Sequence, residues 1–327
     1  MARKRVLSGM QPSGLLHLGN LLGALDNWKA LQEEYECYFF VADWHALSTN
    51  YADTSRIREY TREMLIDWLA TGIDPDKATL FIQSSNPDHA VLHLLLSMMT
   101  PIPWLERNPT YKEKQEQITD RDLATYGFLG YPVLQAADIL LYKAHYVPVG
   151  KDQLPHLELT RELARRFNSL YKGVFPEPQE QLTHYPKVLG TDGRKMSKSY
   201  GNTINLSDTE PVLRQKLKTM VTDPARVRRT DPGNPDLCPV FDFHKIYSPT
   251  PVIERVNREC RTAEIGCIDC KKLVADAMVE KLEPIWEARQ IFQRDPKRVE
   301  QIVDAGTVRA KKVSNETMQE VKEAIHL

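Results

Sequence analysis

Short apolar runs alternate with stretches of helical period along the first third of this chain, and that alternation restricts the fold more than any other feature. Arg5-Val6-Leu7-Ser8-Gly9, Tyr38-Phe39-Phe40-Val41-Ala42-Asp43 and Ala78-Thr79-Leu80-Phe81-Ile82-Gln83 each read as a buried strand closed by polar or glycine residues. Between them Asn20 to Tyr35 has helical spacing, and Arg56 to Thr71 puts Ile57, Tyr60, Met64, Trp68 and Leu69 on one helical face. Strands that alternate with helices in this way pair in parallel, which predicts an α/β protein with a doubly wound parallel sheet and ligands at the carboxyl ends of its strands.

The remainder of the chain follows a different pattern. Ala90 to Met99 is strongly apolar, the charged segment Glu106 to Arg121 follows it, and the sheet is expected to resume near Tyr131. After Tyr200 come proline-rich turns (Asp223-Pro224, Asp231-Pro232-Gly233-Asn234-Pro235) and then helical patterns to the end, so residues 201–327 are expected to form a second, mainly helical domain. With 327 residues, 42% of them apolar and 27% charged, the chain can bury a core of that size. The basic start Met1-Ala2-Arg3-Lys4-Arg5 lacks the apolar stretch of a signal peptide, and no apolar run approaches a membrane span, so a cytoplasmic protein without membrane contact is expected. A net charge of −1 means that any nucleic-acid partner must be held by local basic patches.

Two segments carry the chemistry. Pro12-Ser13-Gly14-Leu15-Leu16-His17-Leu18-Gly19-Asn20 follows the first strand, where small residues and an imidazole let backbone N–H groups and a helix N-terminus approach phosphate oxygens. Lys195-Met196-Ser197-Lys198-Ser199 puts two lysines and two hydroxyls on a loop behind Thr191-Asp192-Gly193-Arg194. Either segment alone could be an ordinary turn or a solvated loop; together, in this order, they describe an ATP site. There is no Gly-x-x-x-x-Gly-Lys-Ser/Thr, so it is not that of a P-loop ATPase.

The pair resembles the two signatures of class I aminoacyl-tRNA synthetases, the second letter for letter and the first as His17-Leu18-Gly19-Asn20, the form of the tryptophanyl and tyrosyl subgroup. The resemblance implies a Rossmann-like catalytic domain over residues 1–200, a dimer-forming insertion near 85–130 and hence a homodimer. It also implies ATP contacts at Gln11, Ser13, Gly14, His17, Gly19, Asn20, Gly150, Asp152 and Lys195 to Ser199, with Mg²⁺ accompanying the nucleotide. Lys195 and Lys198 would stabilise the leaving pyrophosphate, and Lys114 of Lys112-Glu113-Lys114 would add to that side. Amino-acid activation requires no general base, because the attacking carboxylate is already ionised at neutral pH.

The run Tyr131-Pro132-Val133-Leu134-Gln135-Ala136-Ala137-Asp138-Ile139-Leu140, followed by Val147-Pro148-Val149-Gly150-Lys151-Asp152-Gln153, resembles the amino-acid pocket of that subgroup. Tyr131, Gln135 and Asp138 stand at i, i+4 and i+7, on one helical face. A buried carboxylate suits an indole N–H, which can only donate, so Asp138 is expected to read L-tryptophan; Tyr131 and Gln153 are placed for its ammonium, and Val147, Val149 and His45 for the pocket wall. A phenol could also donate to Asp138. Asp43-Trp44-His45-Ala46-Leu47, Val147-Pro148-Val149-Gly150 and His156-Leu157-Glu158-Leu159-Thr160-Arg161 match the bacterial tryptophanyl enzymes, which implies tRNA(Trp) as partner. Gln135 departs from that pattern, standing where many tryptophanyl members carry methionine and tyrosyl members glutamine. No large unexplained segment could house an editing domain, and a hydrogen-bonding pocket of this kind needs none.

Cys238, Cys260, Cys267 and Cys270 form C-x21-C-x6-C-x2-C, whereas Cys37 lies alone near the second strand as a small buried hydrophobe. Thiols of a cytosolic protein are not expected to form disulfides, and the spacing suits either zinc or an iron–sulfur centre. Some bacterial members of the resembling family carry a 4Fe-4S cluster on a motif of nearly this spacing, in the region that binds the tRNA anticodon. Arg255, Arg258, Arg261, Lys271 and Lys272 flank the cysteines, and Arg226-Val227-Arg228-Arg229 and Arg309-Ala310-Lys311-Lys312 are further basic groups available to RNA phosphates. Three other functions fit parts of the pattern: a tyrosyl-tRNA ligase, an inactive paralogue acting as an iron–sulfur RNA-binding protein or redox sensor, and a small-molecule nucleotidyltransferase.

Overall fold

A computed structural model describes residues 3–109, 123–182 and 188–327. Strands β1 (Arg5–Met10), β2 (Glu36–Val41), β3 (Ala78–Ile82), β4 (Tyr146–Val149) and β5 (Gln179–Leu182) form one sheet in the order β3-β2-β1-β4-β5. Every pairing is parallel, with Arg5 opposite Glu36, Cys37 opposite Ala78, Val6 opposite Tyr146 and Tyr146 opposite Gln179. The helices in chain order are α1 (Leu18–Asn20), α2 (Asp26–Glu34), α3 (Asp43–Asn50), α4 (Ile57–Ala70), α5 (Asp88–Ser97), α6 (Ile102–Glu106), α7 (Tyr126–Leu141) and α8 (Leu154–Leu170). Beyond the sheet follow α9 (Glu210–Thr219), α10 (Pro239–Tyr247), α11 (Thr250–Arg261), α12 (Cys267–Arg294) and α13 (Pro296–Ile325).

Side-chain alternation along the strands explains why both faces are covered. Val6, Phe39, Val41 and Leu80 enter one core with Trp28 of α2, Met64 and Trp68 of α4, and Met278 and Leu282 of α12. Leu7, Tyr38, Phe40 and Phe81 enter the other, with Leu92 and Leu96 of α5, Ile139 and Leu140 of α7, and Leu163 and Phe167 of α8. The doubly wound α/β sheet expected from the alternation is therefore present, with a helical C-terminal region behind it.

Three boundaries differ from the expectation. The second strand runs from Glu36 to Val41 rather than from Tyr38 to Asp43, since Ala42 leaves the extended region and Asp43 opens α3. There Asp43 Oδ1 accepts the backbone N–H groups of Trp44 and Ser84 at 3.1 and 3.0 Å. The helix expected from Asn20 starts at Leu18 and passes through a π-helical turn, Leu21–Leu25, before α2. Near Tyr131 the chain is helical, and the sheet resumes only at Tyr146.

The last two helices return to the sheet. α12 packs on α4, where the buried Arg289 guanidinium meets Glu63 at 2.6 Å and pairs with Asp67. α13 crosses the edge of the sheet beside β3, so that Val299 and Val303 join the first core and Ala310, Met318, Val321 and Ala324 the second. Gly306 lies directly on the β3 backbone, where any Cβ would overlap the Leu80 carbonyl. Arg309 donates to the Pro75 carbonyl at 2.9 Å beside it. An edge strand whose free backbone groups would invite pairing with another chain is thereby covered.

Candidate functional site

In the order β3-β2-β1-β4-β5 the connections leave β1 in opposite directions, and a crevice opens where β1 and β4 end. A cavity of about 220 Å³ lies there, lined by Ser8 and Gly9 of β1 and Gln11 beyond it, Val147, Pro148 and Val149 of β4, Phe40 of β2 and His45 of α3. Gln135, Asp138 and Ile139 of α7 and Gln153 complete its wall. Most of the expected pocket residues are thus brought together. Tyr131 is not among the lining residues. Its hydroxyl lies 3.0 Å from His156 Nε2 on α8, and its ring borders a neighbouring cavity with Trp44 and His93. The i, i+4, i+7 spacing placed three residues on one face, but that face is wide enough to meet α8 at one end and the cavity at the other.

Asp138 is almost wholly buried, with 1% of its surface exposed. Its Oδ1 accepts from Gln83 Nε2 at 2.8 Å and from His89 Nδ1 at 2.7 Å, while His45 Nε2 meets Oδ2 at 2.8 Å. Burial by itself would raise the carboxyl, yet the hydrogen bonds from His45 and His89 hold it at about 2. Among the described residues the ionised Oδ2 accepts from His45 alone and keeps acceptor capacity toward the cavity. Gln83 and His89, which the sequence analysis did not single out, are therefore part of the site.

The first motif forms a helix cap. His17 is the N-cap of α1, its Nδ1 accepting from the Gly19 N–H at 3.1 Å and its own N–H bonded to Asn20 Oδ1 at 3.0 Å. Burial, followed by the nearby Lys198 charge, lowers the imidazole to about 4. With Nδ1 accepting, the neutral ring carries its proton on Nε2, as a donor. Gly14 has φ +143°, and a Cβ there would stand 3.0 Å from Lys198 Cδ.

The lysine loop closes on this turn. Lys198 Nζ donates to the Gly14 carbonyl at 2.9 Å, and burial lowers its pKa to about 8. Behind it Asn202, 2% exposed, accepts from the Ser197 N–H at 2.8 Å and donates to Asp192 Oδ1 at 2.7 Å. Leu18 N–H bonds the Ile204 carbonyl at 3.0 Å and Leu206 N–H the Leu16 carbonyl at 2.9 Å, stitching the segment after the loop to the first motif. Lys195 and Ser199 are exposed, Met196 is buried, and Gly150 and Asp152 sit on the turn after β4, where Asp152 Oδ2 accepts from Gln153 at 3.0 Å. Ser13 is exposed beside the turn, and Lys112, Glu113 and Lys114 lie outside the described residues.

Several basic residues are not free for RNA. Arg226 is 9% exposed and donates to the Ile265 carbonyl at 2.7 Å and the Arg229 carbonyl at 3.1 Å. Arg229 bonds the Ala263 and Glu264 carbonyls beyond the end of α11, and Lys271 bonds those of Lys218, in the last turn of α9, and Met220, which follows it. Exposed carbonyls at helix ends draw cations, so these side chains act as caps rather than as a solvated face.

Cys238, Cys260 and Cys270 pack around one small core of Phe241, Val256 and Ile265, and Cys267 opens α12. Burial, then the proximity of Cys238, Cys260 and Cys267, pushes the Cys270 thiol up to about 12. The four sulfurs are therefore neighbours. Among the described residues, however, no group of three or more His, Cys, Asp or Glu stands in an arrangement that could hold a metal ion. The centre expected from the spacing is not present as a closed ligand shell, and Cys270 Sγ instead lies 3.4 Å from His244 Nε2.

A parallel doubly wound sheet with an anion-accepting turn after β1, clasped by a lysine loop, defines a nucleotide-dependent enzyme of the class I synthetase kind. The family of class I tRNA synthetases (W and Y) matches residues 2–283, and the chain belongs to that family. It is 55% identical over 325 residues to the tryptophan–tRNA ligase of Thermotoga maritima, covering 99% of each chain. It is 46% identical to that of Ralstonia nicotianae, covering 100% of this chain and 99% of that one. The tryptophanyl-tRNA synthetase of Campylobacter jejuni, solved with ADP and tryptophan, superposes with a TM-score of 0.91 at 33% identity over 99% of this chain and 100% of that one. Within the family the chain sits with the tryptophanyl-tRNA synthetases.

Proposed function

We infer that this chain is a tryptophan–tRNA ligase, which activates L-tryptophan with ATP and transfers it to tRNA(Trp). The observation that carries the substrate is Asp138, an ionised, buried carboxylate at the switch-point cavity, positioned by three donors to accept an indole N–H. Gln153, on the same wall, suits the ammonium group. The tryptophan carboxylate attacks the α-phosphorus of ATP, a new P–O bond forms and pyrophosphate leaves; the tRNA terminal hydroxyl then takes the aminoacyl group and AMP departs. His17 donates through Nε2 to phosphate, and Lys198 with Lys195 neutralises the leaving pyrophosphate, with Lys114 adding to that side. Mg²⁺ would enter with the nucleotide and supply positive charge against its phosphates. ATP–pyrophosphate exchange with tryptophan and tyrosine side by side tests the assignment: exchange with tryptophan is expected, and preference for tyrosine would overturn it.

The remaining assignments belong to the same proposal. Residues 1–200 supply the catalysis in the cytoplasm, and 201–327 bind the anticodon. The outward face of α5 supports a homodimer, since Val91, Leu94, Met98 and, beyond it, Ile102 and Tyr126 form an exposed apolar stripe. For the cysteines, the donor chemistry supports a thiolate-ligated centre, and we take it to be a 4Fe-4S cluster with zinc as the alternative: burial and the neighbouring cysteines raise the Cys260 and Cys270 thiols, which are stable as thiolates only beside compensating positive charge. Such a centre would be held by Cys238, Cys260, Cys267 and Cys270 and would tie α10, α11 and α12 together.

A further inference from the structure

A buried polar chain runs from the substrate carboxylate to the last helix of the molecule. His89 Nδ1 meets Asp138 Oδ1 at 2.7 Å, and His89 Nε2 meets the Tyr142 hydroxyl at 2.9 Å. Asn86 Nδ2 reaches Tyr142 at 3.1 Å and Ser314 Oγ, on α13, at 2.9 Å, and Ser314 Oγ donates to Asp88 Oδ2 at 2.6 Å. His89, Tyr142 and Ser314 have no exposed surface, and Asn86 has 1%. Ser314 is 228 positions from Asn86 in sequence, so only the return of α13 to the sheet closes the chain.

The proton directions in this chain are determined from the Ser314 end. Ser314 has one hydroxyl proton, and its acceptors are the Asp88 carboxylate at 2.6 Å and the Lys311 carbonyl at 3.2 Å, so toward Asn86 its oxygen can only accept. Asn86 therefore turns its NH₂ toward Ser314 and Tyr142, with its oxygen toward the Asp88 N–H at 3.4 Å. Tyr142, accepting from Asn86, keeps its own proton for His89 Nε2. A His89 that accepts at Nε2 is neutral, with its only proton on Nδ1, pointed at Asp138.

We propose that Ser314 is a positioning residue for tryptophan recognition: through Asn86 and Tyr142 it locks His89 as the neutral Nδ1–H tautomer, so that Asp138 keeps its full negative charge for the indole N–H. Without the serine hydroxyl the Asn86 amide is free to flip and present its oxygen to Tyr142. Tyr142 then donates to Asn86 and offers its oxygen to His89 Nε2, which takes up a proton from solvent, and a ring protonated on both nitrogens draws the Asp138 charge away from the substrate. Such networks orient the groups they join because every member has one satisfied arrangement.

The inference rests on the tryptophan assignment, and two readouts separate the two. In ATP–pyrophosphate exchange, Ser314→Ala should raise KM for tryptophan roughly three- to tenfold, the scale of one hydrogen bond, with kcat within about twofold. Ser314→Thr, which keeps the hydroxyl, should restore it. Nitrogen-15 NMR of the histidine-labelled full chain, with His89 assigned from a His89→Asn variant, should show an unprotonated Nε2 in the wild type and its loss in Ser314→Ala. Asn86→Asp, which presents only carboxylate oxygen to Tyr142, should produce the same spectral change if the alanine variant folds poorly. Absence of exchange with tryptophan by the wild type would sink the substrate assignment, leaving the His89 spectrum to decide the relay by itself. A wild-type His89 protonated at Nε2, or a natively melting Ser314→Ala with unchanged KM, overturns the inference.

Discussion

Lys198 Nζ rests 2.9 Å from the Gly14 carbonyl, so the second lysine of the loop already touches the turn that would cradle the phosphates. In the proposed reaction the ammonium would exchange this carbonyl for pyrophosphate oxygens when ATP binds. An interaction that strengthens as charge accumulates on the leaving group acts on the transition state more than on the ground state. Lys198→Ala is expected to slow adenylate formation by roughly a hundredfold while leaving tryptophan affinity near wild type, as read by single-turnover quench and by equilibrium tryptophan binding. Unchanged single-turnover activation would remove Lys198 from the reaction.

The same burial gives the site a pH dependence. Lys198 titrates near 8 in the free protein because desolvation disfavours its charged form. Only the ammonium can neutralise pyrophosphate, so kcat/KM for ATP should be level below about pH 8 and fall up to tenfold per pH unit above it. Lys198→Arg, which stays charged, should flatten that limb. For stability the sign is opposite: the lowered folded pKa means that the unfolded chain binds more protons between about 8 and 10.5, so this residue makes the fold more stable as pH rises through that window.

The first three strands were legible because they are apolar runs with clear stops, and the two motifs because their residue types are unusual in combination; β4 and β5 were not, being four residues each, β5 the polar run Gln-Glu-Gln-Leu. The partners of Asp138 were harder to see. His45 lay within a matching run, but Gln83 and His89 come from the end of β3 and from an apolar helix, and a lone histidine among leucines carries no local sign of its role. Ser314 had none at all, because its meaning depends on a helix that crosses the sheet edge. Arg226 and Arg229 belong to a basic run that reads as a solvated face or an RNA contact; what turned them inward was the set of carbonyls near the end of α11, a feature of the folded backbone.

The apolar stripe on α5 bears on assembly. Leu94 and Met98 are 54% and 76% exposed, one helical turn apart, and their neighbours Val91 and Ile102 extend the same surface. Burying that surface against a second copy would supply the apolar centre that stable interfaces share. Sedimentation equilibrium should give a dimer for the wild type and a shift toward monomer for Leu94→Glu with Met98→Glu, with the far-UV spectrum unchanged. A monomeric wild type at micromolar concentration would refute the dimer.

The cysteine site yields a compositional test. Protein isolated anaerobically should be brown and contain about four iron and four sulfide per chain, while Cys270→Ser should lose both. Stoichiometric zinc in a colourless preparation would replace the cluster by a structural zinc site, and neither metal would leave four packed thiols.

Gly306 provides a test of how the last helix is held. A glycine in an exposed helix interior loses about 1 kcal/mol relative to alanine, so Gly→Ala on α13 would ordinarily stabilise the protein. Here the added methyl would overlap the Leu80 carbonyl, and backbone cannot swing aside as a side chain can. Forcing α13 off β3 would strain the Arg309 bond to Pro75 and loosen the packing of Val303 and Ala310, whose side chains enter opposite cores. Overpacking of this kind costs about 1–3 kcal/mol, enough to outweigh the helix-propensity gain. Gly306→Ala should therefore lower the urea midpoint, whereas Ala305→Gly, on the exposed side one residue earlier, should cost only the propensity difference of about 1 kcal/mol. A raised urea midpoint for Gly306→Ala, the ordinary gain of glycine to alanine in a helix, would mean that α13 does not bear on the edge of the sheet.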